Sequence, residues 1–267
     1  MDRGYVFDNA WHEAKQRLEL LESFGDPATI RHLEALGVLP GWRCLEIGAG
    51  AGSIALWLSQ RVGPEGSVVA TDLDTRLLEP LGQPNLEIRR HDIAAEELTD
   101  AEFDLVHARA VLTHLPERER ALRRMISALK PGGWLLVEEV DCVSAVADPR
   151  SGTATVELFQ RGQRAMDAVL GAGGADRYYG RRLYGDVCDN GLLNAGTEGV
   201  TTMMRGGSPL AKLQELTTHQ TRERLLAIGG LSIEDADAYA ALFADPDFVW
   251  MGNIILAVWG QRPSAPP

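Results

Sequence analysis

Between residues 42 and 141 the chain alternates short apolar runs with amphipathic ones, and this alternation restricts the fold more than any other feature. The segments "RCLEIG", "SVVATD", "LEIRRHD", "FDLVHAR" and "WLLVEEV" have the length and composition of strands. In the third, Leu86 and Ile88 point one way while Glu87 and Arg89 point the other. Two intervening segments carry helical spacing. "SIALWLSQRVG" is placed for capping by Ser53 and ends at Gly63. In "PERERALRRMISALKPGG", Leu122, Met125 and Leu129 share a face before a Lys-Pro-Gly-Gly stop. Strand–helix repetition of this kind predicts an α/β fold: a parallel, doubly wound sheet with helices on both faces.

The flanks read differently. Ala14, Leu18 and Leu21 form an amphipathic stripe. "DPATIRHLEALG" then supplies Asp26 as an N-cap, Pro27 at the first helical position and Gly37 past the end, so a new helix is expected from Asp26. After Asp141 the pattern loosens. Helices are expected in "TATVELFQRGQRAMDAVL", in "YGRRLYGDVCDNGLL" and after Ser208-Pro209, and Ser232 with Asp235 looks like a capping box. "VTTMMRGG" and "NIILAVWG" are strand-like. The glycine-rich "GAGG" reads as a flexible loop.

Composition narrows the function. Of 267 residues 45% are hydrophobic, which suits one domain with insertions, and the net charge of −12 disfavours both nucleic acid and an anionic membrane as partners. Cys44, Cys142 and Cys188 are odd in number and form no C-x-x-C pair, which argues for a reducing, cytoplasmic setting without structural zinc. The N-terminus lacks a signal-peptide pattern, and no apolar run approaches the roughly 18 residues that span a bilayer.

The first strand leads into a glycine turn: Gly48, Ala49, Gly50 and Gly52 precede a helix, where backbone N–H groups face a ligand. A nicotinamide fingerprint needs a third glycine where this chain has Ser53, and a P-loop needs a lysine that is absent here. Glu46, two residues before the turn, would repel a pyrophosphate and suits a ligand bearing an ammonium group.

In these residues the chain resembles the class I S-adenosylmethionine-dependent methyltransferases, in their small-molecule branch. "LEIGAGAG" looks like the family's first motif. "VVATDLD" puts Asp72 where the family holds the ribose hydroxyls, and Leu73 where it packs on adenine. "RRHDI" puts Asp92 and Ile93 where the family contacts the adenine amino group and ring. "FDLVHARAVLTHLPERERALRRMISALKPGGWLLVEE" is similar to the block that follows, in which backbone at Ala108 and Arg109 reads the methionine end. The resemblance covers residues 40–141 well and 177–261 loosely. It implies a Rossmann-like sheet of about seven strands, mostly parallel with an antiparallel C-terminal strand, plus a helical cap. On that frame residues 1–39 form a helical lid and 40–141 the cofactor-binding half. Residues 142–176 and 208–247 are cap insertions, and 177–207 with 248–261 complete the sheet.

Methyl transfer from a sulfonium is an in-line displacement, accelerated mainly by holding three atoms collinear. A neutral acceptor also needs a base. His114, in "LTHLP" after the fourth strand, has an ordinary pKa near 6.5 and suits that task, although capping or packing of the next helix explains it too. Glu138 and Glu139 end the fifth strand on opposite faces. Glu139 is a further catalytic candidate, against the plainer reading of a solvated strand end. Arg109 is placed to pair with Glu46 or Glu138, or to orient the cofactor carboxylate. Tyr5, Phe7 and Trp11 form a lid segment in related enzymes, and Tyr178 with Tyr179 is the other aromatic pair available to a substrate pocket. An anchoring aromatic staple explains the first three equally well, and core packing explains Tyr178.

No metal is expected, since Arg109 stands where the metal-dependent branch has an acid. The expectation is therefore a methyltransferase acting at O, N or C of a small, aromatic or secondary-metabolite acceptor. A cofactor-binding enzyme or scaffold that does not methylate carries the same motifs, a nicotinamide oxidoreductase is disfavoured by Ser53 and Glu46, and self-association into a homo-oligomer is left open.

Overall fold

The computed structural model describes residues 6–7 and 11–264. Its first helix, α1 (Ala14–Leu36), runs straight through the expected restart at Asp26-Pro27. A proline inside a helix removes one hydrogen bond and crowds the carbonyl four residues back. Anchors to the sheet carry the helix across that point. Asp26 is spent on Arg109 (2.8 Å) and on the Ser53 hydroxyl (3.1 Å), not on a cap. The stop is as expected: Gly37 is left-handed and its N–H donates to the carbonyl of Glu34.

The alternating half follows as β1 (Arg43–Ile47), α2 (Ser53–Val62), β2 (Ser67–Asp72), β3 (Leu86–Arg90), β4 (Phe103–Arg109), α3 (Arg118–Ala128) and β5 (Leu129–Asp141). The fifth strand starts earlier than its apolar core suggests, taking in the Lys-Pro-Gly-Gly segment. The remainder comprises β6 (Val146–Ala147), α4 (Thr153–Ala172), α5 (Tyr179–Asp189), β7 (Leu193–Val200), β8 (Met203–Arg205), α6 (Pro209–Ala227), α7 (Ile233–Leu242), β9 (Val249–Met251) and β10 (Ile254–Gln261). Ser208 and Ser232 cap α6 and α7 by accepting from Ala211 and Asp235.

Seven strands form one sheet in the order β3-β2-β1-β4-β5-β10-β7, with β10 antiparallel to both of its neighbours and the other pairs parallel. Strand order reverses between β1 and β4, the place where open α/β sheets bind ligands. Alternation along the strands builds two cores. Cys44, Leu105 and Leu136 face Leu33, Ile54 and Leu58 of α1 and α2, while Leu45, Val106 and Val137 face Leu122, Met125 and Leu183 of α3 and α5.

Met203–Arg205 and Val249–Met251 do not join this sheet. They form a small antiparallel one in the order β6-β9-β8, because Met204, Phe248 and Trp250 are drawn into an apolar cluster with Phe159, Tyr239 and Phe243 beneath α4 and α7. Each such ring contributes about 1.5–3 kcal/mol on burial, so the cap has a core of its own. Among the described residues no helix is long and apolar enough to cross a membrane.

Candidate functional site

The glycine turn lies at the reversal point, held by its neighbours on both sides. Gly48 has φ +67°, and a Cβ there would stand 2.4 Å from Cγ2 of Val111, so the turn after β4 packs directly on its backbone. The Ala49 N–H donates to the carbonyl of Thr71 (3.0 Å) and the Gly50 N–H to Oδ2 of Asp72 (3.0 Å). The other Asp72 oxygen accepts from the Asp74 N–H (3.0 Å). Burial raises the pKa of this carboxyl, opposed by these N–H donors. Leu73 beside it is 50% exposed, an apolar side chain left outside the core where the motif resemblance puts adenine. An acid and an exposed apolar surface next to a glycine turn are what a nucleoside with a free diol requires, and these residues fit S-adenosylmethionine.

Other assignments move. Ser53 does not cap α2: the cap residue is Gly52, and the Ser53 N–H and hydroxyl are taken by Glu22 (3.3 Å) and Asp26 of α1. Two carboxylates thus sit at the N-terminus of α2, the favourable end of its dipole. Asp92 accepts from the Ala94 N–H (2.9 Å), closing a turn. The Ile93 side chain is 5% exposed and belongs to the core on the α3 side.

Arg109 pairs with neither Glu46 nor Glu138. Its guanidinium lies against Gly25, where a Cβ would come within 2.7 Å of Nη1, and it donates to Thr29 Oγ1 and Asp26 Oδ1, each at 2.8 Å. Ala108 beside it is fully buried. Glu46 does not open toward the turn either: it is 4% exposed, with Oε2 2.6 Å from Nδ1 of His107. Beyond it an alternating array crosses the sheet. His107 Nε2 lies 3.4 Å from Glu138, Glu138 lies 3.0 Å from His32, His32 lies 2.7 Å from Glu198, and Glu198 meets Arg31 at 2.8 Å near the surface. Thr29 donates to Glu138 as well. Burial alone favours a neutral His107, but the carboxylates on either side outweigh it and raise its pKa to about 9. Burial likewise pushes Glu138 up, and His107, His32 and Thr29 together hold it well below the usual carboxylate range.

Sequence reading missed His107, His32 and Thr29. One signal was present: Glu46 and His107 are polar residues inside apolar runs that become adjacent buried strands, and buried polar groups need partners.

The expectation that a glutamate ends β5 in solvent is overturned for both residues. Glu139 is fully buried, and its carboxylate accepts the N–H groups of Val111 (3.1 Å), Leu112 (2.6 Å) and Thr113 (3.1 Å). It fixes the turn that carries His114, which is work for a positioning group. His114 meets Phe7 edge-on at 5.9 Å, and burial, with a smaller contribution from Arg17, lowers its pKa to about 4. Its ordinary value near 6.5 is therefore not kept. Trp11 stacks edge-on with His12 (5.3 Å). Tyr5 lies outside the described residues. Tyr178 is 43% exposed between Arg177 and Arg181. Tyr179 is instead fully buried in the core beside α3 and α5, which removes it from any substrate pocket.

A family model described as a methyltransferase domain matches residues 45–137, the segment holding the glycine turn, Asp72 and β4. That segment is similar to a methyltransferase domain. The chain is similar to methyltransferase str2 of Strobilurus tenacellus, 32% identical over 142 residues that make up 53% of this chain and 50% of that protein. It is also similar to the ubiquinone/menaquinone biosynthesis C-methyltransferase UbiE of Pseudomonas fluorescens, 36% identical over 40% of this chain and 45% of that one. The chain spans about half the length of these curated relatives. Among solved structures, the phosphoethanolamine N-methyltransferase 2 of Haemonchus contortus, in complex with phosphomonomethylethanolamine and S-adenosylhomocysteine, shares the fold of this chain. Its TM-score is 0.52 at 19% identity, covering 97% of this chain and 54% of that one.

Proposed function

We propose that the chain is an S-adenosylmethionine-dependent methyltransferase that moves a methyl group to an O, N or C atom of a small acceptor by in-line displacement. The observation that carries this reading is Asp72 with the exposed Leu73 beside a glycine turn at the reversal of strand order. S-adenosylmethionine, when bound, supplies an electrophilic methyl group on a sulfonium. The rest falls to the chain. Each Asp72 oxygen already takes one backbone N–H and keeps a lone pair for a ribose hydroxyl. Leu73 offers the apolar face for adenine. α1 lies over the turn, with Leu18 Cδ2 3.8 Å from the Gly50 Cβ position. Orientation of this kind contributes roughly 7–11 kcal/mol at best. His114 is a weak base at a pKa of about 4, which favours acceptors that arrive already ionised. UbiE is named for ubiquinone and menaquinone biosynthesis, in line with a small acceptor, and the free cysteines Cys44, Cys142 and Cys188 suit a cytoplasmic setting. Calorimetric titration tests the reading: S-adenosylhomocysteine is expected to bind and NAD not to. The opposite pattern sinks it.

A further inference from the structure

Among the described residues, Arg17 is a buried cation with no anion beside it. It is 7% exposed, its guanidinium carbon lies 4.4 Å above the ring of Phe7, and among the described residues no carboxylate or carbonyl takes a hydrogen bond from that guanidinium. The other arginines buried to this depth are all engaged. Arg118 donates to the carbonyls of Leu112 and Gly174, and Arg124 to those of Ile93 and Ala94 and to Glu97. A stacked aromatic ring offsets only part of the desolvation of a guanidinium.

Its surroundings belong to the proposed site. Leu18, the next residue on α1, has its Cδ2 3.8 Å from where a Cβ on Gly50 would stand. Phe7, under the guanidinium, meets the ring of His114 after β4 and is seated in an apolar cluster with Val169, Leu170 and Leu225 of α4 and α6. Arg17 therefore stands where the lid helix, the turn after β4 and the cap converge.

We propose that Arg17 binds an oxyanion of the bound ligands, a carboxylate, phenolate or enolate, and so selects an acidic small molecule at this site. A planar guanidinium fork matches such groups through two parallel hydrogen bonds, and a pre-buried one binds them without a further desolvation cost to the protein. The inference deepens the methyltransferase reading and rests on it. Two sources share the chemistry: the acceptor, and the cofactor's own carboxylate.

Calorimetry on the full chain separates them, using wild type, Arg17→Lys and Arg17→Met. The probes are S-adenosylhomocysteine and its methyl ester and, with S-adenosylhomocysteine saturating, benzoate and benzamide. Arg17→Met is expected to weaken at least one charged probe tenfold or more and to leave its neutral counterpart unchanged. Arg17→Lys should retain part of the affinity, and the thermal midpoint of Arg17→Met should not fall. Loss confined to benzoate assigns the oxyanion to the acceptor, and loss confined to S-adenosylhomocysteine assigns it to the cofactor. Wild-type affinity of Arg17→Met for every probe, or equal weakening of charged and neutral probes with a lowered midpoint, overturns the proposal and leaves Arg17 as a packing partner of Phe7. A wild type that binds no S-adenosylhomocysteine overturns the methyltransferase reading, and this inference with it.

Discussion

His107 on β4 and Glu46 on β1 meet at 2.6 Å inside the sheet, and Glu138 on β5 stands 3.4 Å from the other ring nitrogen. An imidazole with a carboxylate at each nitrogen satisfies both only when doubly protonated. The array extends through His32, so α1 is bound to the sheet by charge as well as by apolar packing.

The pair makes stability depend on alkaline pH. The folded pKa of His107, about 9, lies above the ordinary 6.5. Its contribution is therefore fully present below about pH 6.5 and is lost as pH rises through about 9. Glu46→Gln should cost about 3–5 kcal/mol near neutrality, the usual consequence of removing one member of a buried pair, and should flatten the alkaline decline. Urea unfolding at about pH 6, 7.5 and 9.5 checks this; parallel pH profiles in the two proteins would refute it.

Asp72→Ala should weaken S-adenosylhomocysteine binding more than tenfold, about 1.4 kcal/mol, through loss of a charged acceptor. Because Asp72 also holds the Gly50 and Asp74 N–H groups, Asp72→Asn is the companion variant. It keeps an oxygen for one N–H and should bind more tightly than the alanine variant. Equal affinity of wild type and Asp72→Ala in calorimetry removes the assigned role.

His114 carries the opposite sign to His107. Its folded pKa of about 4 lies below 6.5, so the stability it contributes is present above about pH 6.5 and is lost as pH falls toward 4. An NMR titration of its ring should show a midpoint below about 5, and the rate should show no inflection near 6.5 that His114→Gln abolishes. Either a midpoint near 6.5 or such an inflection would restore His114 as a conventional general base.

Local pattern made the alternating half legible. β1, β2 and the glycine turn carry their signals within a few residues, as do the Gly37 stop and the Ser208 and Ser232 caps. What escaped depends on contacts distant in sequence. Asp26-Pro27 has the signature of a helix start, yet Arg109, 83 positions away, takes the aspartate and the helix continues. Glu46 reads as a ligand group until strand order sets it beside His107. Glu139 looks like a strand end because nothing nearby reveals the three N–H groups that fold back over it. Met203–Arg205 has a strand's pattern, but only the aromatic cluster decides which sheet receives it.

Gly48 offers a test of how tightly the turn is built. Its left-handed φ costs an alanine about 1–2 kcal/mol whatever the space around it. The added Cβ also meets Val111 Cγ2, an overpacking worth typically about 1–3 kcal/mol more. Gly48→Ala should therefore be destabilising by both routes. Combining it with Val111→Ala should recover the clash and leave the backbone strain, giving a favourable coupling energy in a double-mutant cycle. Additive effects in urea unfolding would mean that Val111 does not press on the turn. Recovery in the double variant should also return S-adenosylhomocysteine affinity, because Gly50 and its hydrogen bond to Asp72 follow directly from where Gly48 sits.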